Sequence, residues 1–285
     1  MSAGDIRRKL GRLKIIAVTN RKGGVGKSTI SIHVAAALAA MGLNVGLVDT
    51  DSQGHAGLML GVPEQDGLFQ LLVEKRPLAV CVTEVPKEKF GTPDSPALGN
   101  LYLIPSSVKT YKIPHELGAG QGFAFLKASD QFGDAYALDV VILDTNPTMS
   151  LFDAAVYIAT DAFLYVTECD RLSFDGIAKA LEQMQNATES RLTYLNRETR
   201  ILGIIPNKMR AGTAVHRRNI KELAAYFPDL VWNPIRLNTI WVEAAQLEEP
   251  VFVCAPTSDA ALDAWRIAER VKEELEKWSA TEETA

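Results

Sequence analysis

Short, uniformly apolar runs separated by helical periodicities recur along almost the whole chain. Ile15-Ile16-Ala17-Val18 is the first such run, and a glycine-rich turn follows it at once. Ile30, Val34, Ala37, Leu38 and Met41 then recur at helical spacing until Gly42 stops the pattern. Val45 to Val48 is the second run and closes on Asp49-Thr50-Asp51. Leu101 to Ile104, Val140 to Leu143, Phe163 to Val166, Ile201 to Ile205 and Leu230 to Trp232 are the later strand candidates. Phe174, Ile177, Leu181 and Met184 share one helical face, and Trp265, Ala268, Val271, Leu275 and Trp278 share another. Strands apolar at every position are buried on both faces, and alternation of such strands with helices builds a parallel sheet. The expected fold is therefore α/β: a single doubly wound, mostly parallel sheet with helices on both faces. Its expected span is 14–278, flanked by a flexible N-terminus over 1–13 and a flexible acidic tail over 279–285. The Pro- and Gly-dotted stretch from Pro77 to Gly99 reads as an insertion loop.

Composition narrows the class. A chain of 285 residues, 47% hydrophobic, can bury one large core without disulfides. A net charge of −5 excludes a surface that is basic all over, leaving room only for a local basic face. Cys81, Cys169 and Cys254 lie far apart and form no CxxC pair, which argues against structural zinc or a disulfide framework and for buried, inert thiols in a reduced cytoplasmic setting. No apolar run approaches the ~20 residues that a membrane-spanning helix needs. The first residues carry Arg7, Arg8, Lys9, Arg12 and Lys14 but no apolar core, so they are not read as a signal peptide.

The sharpest chemical signal is Asn20-Arg21-Lys22-Gly23-Gly24-Val25-Gly26-Lys27-Ser28-Thr29, set between a strand and a helix. Glycines let backbone N–H groups crowd around phosphate oxygens, and the helix N-terminus adds its positive end. Lys27 is placed to reach the β- and γ-phosphates, and the Ser28 hydroxyl to ligate Mg²⁺. Asp49 and Asp51 follow the second strand, and Asp144 closes a third, at the strand ends where open parallel sheets bind ligands. An acid at such a place is either a helix N-cap or part of the machinery that holds metal and orients water. Three together favour the second reading, with Asp49 and Asp144 on the metal side.

The loop departs from the general phosphate-loop pattern: Arg21 stands where a glycine is usual, and a second lysine, Lys22, precedes the glycine pair. In this it resembles the deviant Walker ATPases, the group of ParA, MinD, the nitrogenase iron protein and several ATP-dependent synthetases. The similarity runs over residues 14 to 275. Asp49, Asp51, Gln53 and Gly54 match an Asp-x-Asp-Pro-Gln-Gly stretch of ParA-like proteins, with Ser52 in place of the proline. Asn146 likewise replaces the first proline of Asp-Thr-Pro-Pro. Val166 to Asp170 with Phe174-Asp175-Gly176 resembles the family's interface region, as does Val242-Glu243-Ala244 through Pro250-Val251 near the end. The resemblance implies ATP and Mg²⁺ as cofactors, an ATP-dependent homodimer and slow turnover. It further implies that Lys22 reaches the partner subunit's nucleotide, that Asp51 handles the hydrolytic water, and that Asn207 and Lys208 lie near the adenine.

Within that group the ParA branch fits best: an ATPase that binds DNA non-specifically and is stimulated by a ParB-like or adaptor partner. Lys208, Arg210, His216, Arg217, Arg218 and Lys221 cluster, and Arg210, Arg217, Arg218 and Lys221 are the expected nucleic-acid contacts, against the plainer reading of a solvated helix face. Gly212 and Ile240 stand where relatives carry arginines implicated in DNA contact, and Arg236 is near but out of register. A membrane-bound switch needs a basic amphipathic C-terminal helix, whereas Glu273-Glu274-Leu275-Glu276-Lys277-Trp278 leads into an acidic tail. Scattered cysteines disfavour an iron–sulfur protein. Lys27-Ser28, where a dinucleotide fold needs a small residue, disfavours a dehydrogenase. A positioning ATPase for a non-DNA cargo and an ATP-dependent synthetase remain the alternatives.

Overall fold

A computed structural model describes residues 12–117, 123–146, 151–170, 177, 184–185 and 188–283. Among these, seven strands form one sheet: β1 (Lys14–Thr19), β2 (Asn44–Asp49), β3 (Thr83–Val85), β4 (Asn100–Ile104), β5 (Val140–Asp144), β6 (Ala162–Glu168) and β7 (Arg200–Asn207). Their spatial order is β3-β4-β2-β5-β1-β6-β7, parallel throughout except for β3, which runs antiparallel to β4 at one edge. The helices that position the site are α1 (Lys27–Ala40), α2 (His55–Leu58), α3 (Ala124–Ala135), α4 (Leu151–Ala159), α5 (Ala214–Tyr226), α6 (Ile240–Leu247), α7 (Val251–Cys254) and α8 (Asp259–Glu283).

The alternation of side chains along each strand feeds two separate cores. Ile16 and Val18 of β1 join Val45, Leu47, Ile142 and Leu164 under α1 and α8, while Ile15 and Ala17 join Val48, Leu143 and Phe163 under α3 and α4. This is why the strands read as unbroken apolar runs: neither face meets water. Helix α1 is buried on nearly every side, because it is packed against both the sheet and α8. On α8, Ala260, Ala261, Ala264, Ile267, Ala268, Val271, Leu275 and Trp278 form the inward stripe.

The doubly wound sheet agrees with the sequence, and four details correct it. Pro77 to Gly99 contains the short helix Leu78–Cys81 and strand β3, so it builds the sheet edge. An edge strand of three residues has too few side chains to announce itself as a pattern. Leu230 to Trp232 forms no strand, only an isolated parallel bridge between Val231 and Ile204. The expected free tail from 279 is helical instead: α8 continues to Glu283 and buries Ser279. At the other end, Arg12 pairs with Asp161 at 3.3 Å, so the folded unit begins before Lys14. Residues 1–11 and Phe174 and Leu181 of the expected helix lie outside the described residues, whereas Ile177 and Met184 pack on the second core.

The last turns of α8 dock through Trp278, whose ring lies 4.4 Å beneath the Lys14 ammonium and 4.9 Å beneath the Arg200 guanidinium. Trp278→Ala is therefore expected to destabilise the protein by about 3–5 kcal/mol, the usual cost of truncating a buried aromatic. Urea unfolding measures it, and a loss below about 1 kcal/mol would mean that these turns contribute nothing to the fold.

Candidate functional site

The site grows from the end of β1. Asn20 anchors the turn by donating from Nδ2 to the Val166 carbonyl at 2.7 Å and accepting the Lys22 amide on Oδ1 at 2.8 Å. Gly26 has φ +99 and packs so closely that a Cβ there would lie 2.3 Å from Asn207 Nδ2. That amide nitrogen donates to the Val25 carbonyl at 2.7 Å, tying β7 to the loop. Helix α1 then starts with no side-chain cap and no acid in its first turn. Its leading N–H groups are left to an external acceptor, the usual condition for anion binding at a helix N-terminus.

The charges around this helix end are buried. Lys27 is 6% exposed, and its described hydrogen-bond partner is only the Lys22 carbonyl at 3.4 Å. Burial lowers its pKa below the ordinary lysine value, against the pull of Asp144 and Asp51. Asp49 and Asp144 are register partners at the ends of β2 and β5, both fully buried. Burial, followed by the neighbouring Asp144 charge, raises the Asp49 pKa well above the carboxylate range. Burial likewise raises Asp144 to about 6, although the Ser28 and Ser31 hydroxyls favour its charged form.

The two carboxylates are nevertheless used differently. Asp49 accepts the Asp51 amide on Oδ1 at 2.9 Å and the Ala56 amide on Oδ2 at 3.1 Å. It therefore organises the turn leading into α2, which qualifies its expected place on the metal side. Asp144 accepts Ser31 Oγ on Oδ1 at 3.1 Å, while its buried Oδ2 has no hydrogen-bond partner. An unpaired buried carboxylate oxygen beside the Ser28 hydroxyl is the donor set that Mg²⁺ with its water shell requires.

A cavity of about 490 Å³ opens onto these groups. Gly23, Gly24, Gly26, Lys27, Ser28 and Thr29 line one side, with Asp51, Asn207 and Lys208 beside them. Met59, Leu237, Asn238, Trp241 and Val242 line the other side. A polyphosphate would lie against the loop, Lys27 and the helix end, and a flat base against the apolar wall. The residues present thus fit a Mg-nucleoside triphosphate: Ser28 and Asp144 would hold the cation, which would neutralise charge on the phosphate oxygens.

Most of the expected site residues are brought together here, and some are not. Val25 is fully buried and serves the loop from beneath. Lys22 does not line the cavity; its ammonium donates to Glu168 Oε2 at 2.5 Å and Asp170 Oδ2 at 3.0 Å. Arg210, Arg217, Arg218 and Lys221 are exposed on α5 and the segment before it, with Arg218 3.8 Å from Glu222. Arg236 is held by Asp259 and Asp263, both at 2.7 Å. The sequence did not single out Trp241, Leu237 and Asn238 as cavity residues, since no local spacing links them to a loop some 200 positions earlier.

Comparison with known proteins is consistent with this geometry. A family profile described as an AAA domain matches residues 13–200. The chain is 30% identical to the chromosome-partitioning ATPase Soj of Thermus thermophilus over 91% of its own length and 96% of the relative's. In fold it is similar to apo McdA of Cyanothece, with a TM-score of 0.75 at 22% identity over 93% of this chain and 100% of that one. It is also similar to cobyrinic acid a,c-diamide synthase of Mycobacterium smegmatis, with a TM-score of 0.69 at 21% identity over 90% and 93%.

The adjacent carboxylates have a consequence for the ligand-free protein. Because the folded-state pKa of Asp144 is raised to about 6, its contribution to stability is complete below its unfolded value and is lost as pH rises through about 6. Asp144→Asn keeps the shape and removes the charge. At pH 8 the variant is expected to be more stable than the parent by about 1–3 kcal/mol, the gap closing towards pH 4. Denaturant titrations without nucleotide at both pH values test this, and equal stability at pH 8 would contradict it.

Proposed function

The chain belongs to the ParA/MinD superfamily of P-loop ATPases, and from that premise we propose that it is a Mg-ATP-driven dimerising switch that binds DNA without sequence preference in its ATP state. In this reading it positions plasmid or chromosomal DNA, or another cargo, with the help of a stimulating partner. The observation that carries it is the division of labour between the two lysines of the loop. Lys27 lines the cavity, where it would face the β- and γ-phosphates, while Lys22 sits outside with 45% of its side chain exposed. A lysine next to the phosphate loop but outside its own cavity supports the reading in which it reaches a nucleotide on a second copy. Leu237 and Val242, both on the cavity wall and at least half exposed, supply apolar surface for that copy to cover.

Hydrolysis needs little covalent chemistry from the protein; positioning and electrostatics dominate phosphoryl transfer. The loop amides, Lys27 and Lys22 of the partner subunit would stabilise charge on the phosphates. Asp51, half-buried on the cavity wall with its amide fixed by Asp49, would orient the attacking water. Asn207 and Lys208, bonded to the loop at Val25 and Gly24, would bound the nucleotide beside the phosphates. No helix among the described residues is long and apolar enough to cross a membrane.

The exposed cations of α5 support the DNA reading. Arg217 and Lys221 are one helical turn apart, and a second copy would double the number of basic groups available to phosphates. One observation favours the alternative cargo: Gly212 stands at φ +82, where an arginine would be strained, and Ile240 is packed against the core. Neither position offers the basic contact that the family resemblance implies there.

Two measurements follow. Asp51→Ala is expected to retain Mg-ATP and to hydrolyse it roughly 10²-fold more slowly; near-normal turnover would move the water-orienting role to another group. DNA retention, measured with ATP, with ADP and without nucleotide across a salt series, is expected only with ATP. Its log K should fall by about 0.9 per log unit of salt for each phosphate neutralised. Reversing charge at Arg217 and Arg218 together should weaken retention for every DNA sequence and flatten that slope. No retention at low salt would replace DNA by another cargo or by a synthetase activity.

A further inference from the structure

The ammonium of Lys22 is not idle in the isolated subunit. Glu168, the last residue of β6, accepts Lys22 Nζ on Oε2 at 2.5 Å and Lys208 Nζ on Oε1 at 3.0 Å, and Asp170 accepts Lys22 at 3.0 Å. Lys208 stands in the left-handed region at φ 57, a conformation that a non-glycine residue keeps only when its surroundings hold it. They do so here through its amide, which donates to Asn207 Oδ1 at 2.8 Å, and its ammonium, which donates to the Gly24 carbonyl at 2.5 Å. One carboxylate therefore joins Lys22, Lys208 and, through Lys208, the phosphate loop itself.

We propose that Glu168, assisted by Asp170, is a positioning residue that parks Lys22 on its own subunit. In this scheme the protein concentration at which the ATP-bound dimer forms is set by competition between these carboxylates and the terminal phosphate in the partner. The inference rests on the dimer reading of Lys22. When Lys22 leaves, the Glu168 charge is not stranded, because Lys208 remains on its other oxygen. The contact is only partly screened: Glu168 is 25% exposed, Lys22 45% and Asp170 44%. Single exposed pairs are weak, but two carboxylates on one ammonium, one of them in a short charge-assisted bond, form a network. Hydrogen bonds from Glu168 and then Asp170 hold the Lys22 pKa above the ordinary lysine value. Burial would push Glu168 upward, yet Lys22 and Lys208 together hold it below its ordinary value. The network thus favours both charged forms in the free subunit.

The test uses the full chain and the Glu168→Gln/Asp170→Asn variant, with Asp170→Asn alone as a milder change at a half-exposed site. In nucleotide-free protein, acylation of Lys22 by an amine-reactive ester is followed by mass spectrometry against exposed Lys127 as internal reference. Lys22 labelling is expected to quicken by about threefold to tenfold. In sedimentation with a slowly hydrolysed ATP analogue, the association midpoint is expected to fall by about the same factor, and the shift should vanish when Lys22→Ala is added. Unchanged labelling would overturn the cis contact. Faster labelling with a higher midpoint would overturn the competition, because the carboxylates would then serve the partner. A parent protein that never associates with the analogue would overturn the dimer reading and the threshold with it, while the labelling rates would still decide the cis contact.

Discussion

The ends of β2 and β5 and the start of α1 bury three ionisable groups with no bonded counter-charge among the described residues. Asp49 and Asp144 face each other in register, and Lys27 lies buried close by with no carboxylate in hydrogen-bond reach among the described residues. Burying charge without a bonded counter-charge costs several kcal/mol per ion. The protein tolerates this arrangement by giving the charges dipoles: two backbone amides to Asp49, and two hydroxyls to Asp144. What remains open is one carboxylate oxygen without a partner, one ammonium bonded to a single carbonyl, and the uncapped start of α1. A polyphosphate with a divalent cation supplies the missing opposite charges, so binding completes an electrostatic arrangement that folding leaves open.

That arrangement needs rigid supports, and the two cores provide them. The phosphate loop is hung between β1 and α1, which is buried nearly all round. The far wall of the cavity is fastened to the same helix by His33. Its Nδ1 lies 2.6 Å from the Thr29 carbonyl, its Nε2 accepts the Val251 amide at 3.0 Å, and its ring meets Trp241 edge-on at 4.9 Å. Burial lowers the His33 pKa to about 4, so the ring is neutral at physiological pH. It can then donate at Nδ1 and accept at Nε2, which these two partners require. Residues on opposite sides of the nucleotide cavity are thereby linked through one side chain.

A second chain of contacts leads outward. Asn207 donates to the loop at Val25, its carbonyl accepts the Cys169 thiol at 3.3 Å, and the Cys169 carbonyl accepts Asn219 of α5 at 3.0 Å. The helix that carries the exposed cations is thus bonded, through two strand ends, to the loop that would hold phosphate. The bland reading of Cys169 as a buried thiol is right about its exposure and incomplete about its place. Burial raises its pKa to about 12, so it serves as a neutral donor at this junction.

Sequence alone determined the parts of this protein that depend on neighbours along the chain. Unbroken apolar runs made β1, β2, β4, β5, β6 and β7 legible, and the glycine spacing with Lys27 and Ser28 identified the phosphate loop, because these signals arise within a few residues. Asp49, Asp51 and Asp144 were legible as acids closing apolar strands, but the difference between Asp49, taken by amides, and Asp144, left with an open oxygen, was not. Whether an oxygen is taken by an amide or left unpaired depends on how the next turn folds over it. The tertiary structure alone decided the rest: the antiparallel edge at β3, the docking of the last turns under Lys14 and Arg200, the apolar wall at Trp241, and the custody of Lys22 by Glu168. The Lys22 contact joins residues 146 apart and the His33 contact residues 218 apart. Contacts of that reach are created by strand order and helix packing, which bring together side chains that no local pattern relates.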